Sequence, residues 1–133
     1  MKFKHLILLL FLFPFWAIQA QEGPEMLENV KAQMMSGREK AARKNLDKAL
    51  EKAIREKNDT LLCIVYGAMG EYEAHIEADY YQAIRYIYKG IELAQQHRNR
   101  RQYGLLLSQL ANTYYLKSAG GGLQYALESY EPG

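Results

Sequence analysis

The stretch "AARKNLDKALEKAIREKN" places small and apolar residues at Ala42, Leu46, Ala49, Leu50 and Ala53. Forty-one residues later, "AIRYIYKGIELAQQHRN" repeats that spacing with Ala83, Ile87, Gly90, Ile91 and Ala94. Steps of three and four put these residues on one side of a helix, with charged residues on the other. The same periodicity predicts six helices: Glu25–Ser36, Arg38–Lys57, Thr60–Ile76, Asp79–His97, Arg101–Lys117 and a short one over Leu123–Glu131. Pro24 suits a first helical turn and Gly37 a helix end. "KNDT" and "RNR" supply turns, and "SAGGG" (118–122) reads as a flexible loop before the last helix.

The 41-residue offset continues beyond that pair. Asn58 maps to Asn99, Met69 to Leu110 and Gly70 to Ala111, and with a two-residue lag Ala83 and Ile87 recur as Ala126 and Tyr130. Small positions matching small ones, and large matching large, is what close helix packing requires. The expected fold is all-α, an antiparallel helix-pair solenoid of about three pairs with the last incomplete. Its packing positions are Ala42, Leu46, Ala49, Gly70, Ala83, Ile87, Gly90, Ala111, Ala126 and Tyr130.

The N-terminus changes how the charge is read. Lys2, Lys4 and His5 precede the apolar run Leu6–Ile18, followed by Gln19, Ala20 and polar "QEGPE". That is the layout of a secretory signal peptide, with cleavage expected after Ala20. The run is short for a membrane span, and an uncleaved anchor is the alternative. Removing Lys2 and Lys4 balances the chain at 15 basic and 15 acidic side chains, which gives no footing for a nucleic-acid partner. Cys63 is the sole cysteine, so no internal disulfide staples an exported chain, and its apolar setting "LLCIVY" points to a buried small hydrophobe. The expected organisation is 1–20 signal peptide, 21–37 N-terminal helix and 38–133 helical repeat domain.

The segment Met69–Ala94, "MGEYEAHIEADYYQAIRYIYKGIELA", resembles a tetratricopeptide repeat, and Leu110–Tyr130 resembles the start of another. The large–small pairs Met69-Gly70 and Leu110-Ala111 match the family's first helix, and Tyr114 fits its aromatic position where Glu73 does not. Ala42/Leu46/Ala49 and Ala83/Ile87/Gly90 match the second helix, and Ala126/Tyr130 begins it. The resemblance covers about residues 38–131. It departs in its period, 41 against about 34 in that family, in lacking a closing proline, and in the "SAGGG" insertion. Elongated repeats of this kind resemble a sub-class found in sensory and regulatory proteins. The resemblance implies a concave groove lined by first helices, here Gly67, Glu71, Ala74 and His75, then Ser108, Asn112 and Tyr115. Such polar, adaptable residues suit an extended peptide or protein partner.

Catalytic motifs are missing: there is no HExxH, GxSxG, Walker-type loop or CxxC. "AGGG" lacks the following Lys-Ser/Thr and a preceding strand. Glu71, His75 and Asp79 are four residues apart and would share a helix face, as weak metal candidates, only if the helix ran through Asp79. His97 is expected against a helix dipole. The eight cations and four anions of Arg38–Lys57 read as a solvated face. All eleven tyrosines follow residue 65, and Tyr80, Tyr81, Tyr86 and Tyr88 cannot all point inward from one helix. The expected role is a non-catalytic, exported interaction scaffold with no cofactor and no small-molecule substrate. The alternatives are the sensory front of a membrane-bound regulator continuing past Gly133, which the poorly capped last helix favours, and, remotely, a metal-binding protein or enzyme.

Overall fold

The structure, a computed structural model, describes residues 27–129, with side chains through Gly120. Among these residues it is all-helical and contains no strand. Helix α1 covers 27–35, α2 Glu39–Arg55, α3 Asp59–His75, α4 Tyr80–Gln96 and α5 Arg100–Ser129. The proposed signal peptide, Pro24 and Tyr130 lie outside the described residues.

Each helix end is built from local chemistry. In α2, Glu39 occupies the first turn and Lys52 and Arg55 the last, which complements the helix dipole. Asn58 caps α3 by accepting the Leu61 amide at 3.0 Å, Asp79 caps α4 by accepting that of Gln82 at 3.0 Å, and Asn99 accepts that of Gln102 at 3.2 Å. The residue before each cap is left-handed: Gly37, Lys57, Ala78 and Arg98 have φ of 79°, 51°, 52° and 54°. Amides then reach back across the turn, Asn58 to the Ala53 carbonyl at 3.0 Å and Asn99 to that of Ala94 at 2.8 Å. This is Schellman closure, which satisfies the last carbonyls of one helix just before the next begins. Lys57 and Arg98 are 41 residues apart, as are Gly37 and Ala78, so the turns repeat with the helices. An L-residue in this region costs about 1–2 kcal/mol. Ala78→Gly is therefore expected to raise stability by roughly 0.5–1 kcal/mol after the added unfolded-chain entropy, read as a melting temperature a few degrees higher.

α3 lies at the centre, packed against α2, α4 and α5, and α4 also packs on α5. On one side Leu46, Ala49, Leu61, Val65, Met69 and Tyr72 form a core with Val30 of α1. On the other, Ile87, Ile91 and Ala94 meet Cys63 and Leu106. Burying side chains of this size stabilises by about 1.5–3 kcal/mol each. The packing positions expected on α2, α3 and α4 are all buried.

Two expectations are overturned. Residues 118–122 are not a loop and Leu123 does not begin a separate helix, because α5 runs unbroken to Ser129; the rest of the expected Leu123–Glu131 helix lies outside the described residues. Contact with α4 at the start of the glycine run offsets its local preference: Lys117 Nζ sits 4.3 Å from the Tyr81 ring centroid, and the Tyr80 hydroxyl lies beside Gly120. Ala111, expected in packing, is exposed, since no helix covers that side of α5 among the described residues. Ala126 lies on the same helix.

Candidate functional site

The surface shared by α1, α3 and α5 is built from side chains of three sequence-distant helices. α1 and α3 border a cavity of about 460 Å³ lined by Lys31, Met34, Met35, Glu71, His75 and Ile76. α5 joins α3 through Gln109, whose Nε2 donates to Glu71 Oε1 at 3.1 Å. Glu71 thus lines the cavity and also accepts from Gln109 on α5. The arrangement offers apolar thioether area beside donors and acceptors, which suits a polypeptide more than a small polar substrate.

The residues expected to line a groove are placed unevenly. Glu71 is half-buried and His75 exposed, and both border the cavity. Gly67 and Ala74 are buried; the amide end of Gln109 occupies the space beside Gly67, so neither offers a side chain to a partner. Ser108, Asn112 and Tyr115 are exposed on α5, the Ser108 hydroxyl donating to the Gly104 carbonyl at 3.2 Å. Lys31, Met34, Met35 and Gln109 were not anticipated. The first three are neighbours on one helix face, a spacing visible in the sequence but outside the repeat.

Glu71, His75 and Asp79 do not share a helix face. α3 ends at His75, and Asp79 belongs to the next helix, its carboxylate engaged by the Gln82 amide. Among the described residues, no three His, Cys, Asp or Glu side chains gather as a metal would require.

A second, larger cleft of about 950 Å³ opens between the turn before α3 and the turn before α5. Across it His97 Nε2 lies 3.3 Å from Asp59 Oδ2, and Asn99 Nδ2 donates to Thr60 Oγ1 at 3.3 Å. His97 caps the C-terminal end of α4, as its dipole reading anticipates, and gains an acid on α3. Cys63, His97 and Asp59 carry the residue types of a nucleophilic triad, but the geometry does not support one. The thiol is 1 % exposed and donates to the Gly90 carbonyl at 3.7 Å. Burial, and next the charge of Asp59, push its pKa up, so the thiolate is disfavoured and the nucleophile quenched.

Arg43 departs from the solvated face expected of α2. Its Nη1 donates to Glu73 Oε1 at 3.0 Å, its Nε lies 3.5 Å from Asp47 Oδ1, and its guanidinium stands 5.6 Å from the Tyr72 ring centroid. Glu73 is buried, so this pair ties α2 to α3. On α4, Tyr81 and Tyr88 are exposed while Tyr80 and Tyr86 are half-buried, the split that helical geometry demands. No protein-family model matches the chain, and no curated protein or solved structure matches it either.

Proposed function

We propose that the chain is an exported, non-catalytic interaction scaffold of tetratricopeptide type, a solenoid of helix pairs that holds a protein or peptide segment along α1, α3 and α5. The observation that carries this reading is the surface joining Lys31, Met34, Glu71 and His75 to Gln109 across three alternate helices, with Asn112 exposed three residues further along α5. The asparagine caps at Asn58 and Asn99, 41 residues apart, support the repeat. The burial of Cys63 and its raised pKa weigh against a thiol nucleophile at that position. The basic, apolar, then small-residue order of the first twenty residues supports export.

A displayed library of random peptides, selected on the purified protein, tests the reading. Enriched peptides are expected to bind at least tenfold more weakly to Lys31→Glu and Asn112→Arg, two exposed positions whose replacement leaves the cores intact. Peptides that bind both variants as well as the parent, or no enrichment at all, would reject the groove.

A further inference from the structure

The turns before α3 and α5 hold equivalent places 41 residues apart, but their charges differ. Lys57, Asn58, Asp59 and Thr60 of the first correspond to Arg98, Asn99, Arg100 and Arg101 of the second. An acid in the first turn suits the positive end of a helix, and α2 and α3 have one in Glu39 and Asp59. α5 has none and opens instead on Arg100 and Arg101, the charge that this position disfavours. Lys57 and Arg98 add two more cations, both in left-handed backbone that glycine adopts without strain. All four side chains are exposed, and none forms an ion pair among the described residues. Between Glu92 and Glu128 the sequence supplies no acid to answer them.

Three of these cations gather at one cavity. Lys57, Arg98 and Arg100 line the cleft of about 950 Å³, whose two sides are tied by His97–Asp59 and Asn99–Thr60, each at 3.3 Å. Of the two acids in its lining, Asp59 is engaged by His97, which leaves Glu56 against three cations. Cys63 is the one apolar side chain there, so the lining favours a polar occupant. We infer that the cleft binds a small molecule carrying at least two phosphate or carboxylate groups. Lys57 holds it from one turn, and Arg98 and Arg100 hold it from the other. A guanidinium donates two parallel hydrogen bonds to such a group, and the lysine adds a point charge. Small-ligand sites span about 300–1,000 Å³, so there is room for more than one anionic group. The grip comes from side chains, because Asn58 and Asn99 already accept the Leu61 and Gln102 amides at the two helix ends. The cleft shares no lining residue with the cavity that Lys31 and His75 border, so this inference stands apart from the peptide groove.

Isothermal titration calorimetry with inorganic triphosphate, at physiological ionic strength, tests it. One triphosphate per chain is expected to bind, with Kd below about 1 mM. Arg98→Gly keeps the left-handed turn and removes only the cation, so it should weaken binding about tenfold or more without lowering the melting temperature. Arg100→Gln should weaken binding to a similar degree. Arg38→Gln, which removes an exposed cation at the opposite end of α2, should bind like the parent. No measurable binding would overturn the inference. An equal loss in all three variants would do the same, since it would mean diffuse charge rather than a site. So would binding only to mixed phosphatidylglycerol–phosphatidylcholine vesicles, which would assign these cations to a membrane surface.

Discussion

Ile87→Ala should destabilise the protein by about 2–5 kcal/mol, the range for truncating a large aliphatic in a core that cannot collapse. Ile87 is fully buried, with Cys63, Ile91, Ala94 and Leu106 around it and Leu93, Tyr103 and Leu110 closing the shell. Small domains have about 5–15 kcal/mol in total, so one substitution removes a large share. Leu46→Ala should cost a similar amount, because Leu46 is also fully buried and holds the corresponding place in the other core. Ile54 is the control: it is exposed on α2, and Ile54→Ala should stay within about 0.5 kcal/mol. Urea denaturation followed by circular dichroism separates these cases, with the midpoint moving and the slope unchanged. Equal losses from Ile54→Ala and Ile87→Ala would mean that the two cores do not carry the stability.

The equivalence of Leu46 and Ile87 was legible because packing constrains size at fixed helical spacing, whatever the surrounding letters. Helix limits were legible to one or two residues wherever a cap or turn residue marked them, as Asn58 and Asp79 do. Lys57, Ala78 and Arg98 gave no such mark. They adopt a conformation that glycine or asparagine usually fills, and only the closure of the neighbouring helices imposes it. The glycine run misled for the opposite reason, since its local preference is real but smaller than the contacts along α4. Of the site, Glu71 and His75 were legible as helix neighbours. Gln109 was not, because its reach to Gly67 and Glu71 joins residues about forty apart, and no spacing rule on one helix encodes that. The Arg43–Glu73 pair, thirty residues apart, is hidden for the same reason.

Gly70→Leu should be more damaging than any alanine replacement on α3, and the comparison with Gly67 shows why. A β-carbon at Gly70 would stand 2.7 Å from Ile87 Cγ1, 3.1 Å from its Cδ1 and 3.2 Å from the Ala83 carbonyl oxygen. Ile87 has no space to retreat into, and the Ala83 oxygen is backbone, so α4 itself must shift. Overpacking of this kind costs about 1–3 kcal/mol, which already meets or exceeds the roughly 1 kcal/mol that Gly70→Ala would gain in helix propensity. Three further carbons in Gly70→Leu have nowhere to go, and the α3–α4 contact should open, exposing the core around Ile87. At Gly67 a β-carbon meets only the amide end of Gln109, which can swing away. Gly67→Ala trades the Gln109–Glu71 hydrogen bond, worth about 0.5–1.5 kcal/mol, against a similar gain in propensity, so its midpoint in urea should barely move. Two glycines one helical turn apart therefore differ in what they do: Gly70 sets the distance between helices, and Gly67 makes room for a side chain. Equal midpoint shifts for Gly67→Ala and Gly70→Leu would remove the close approach on which the α3–α4 register depends.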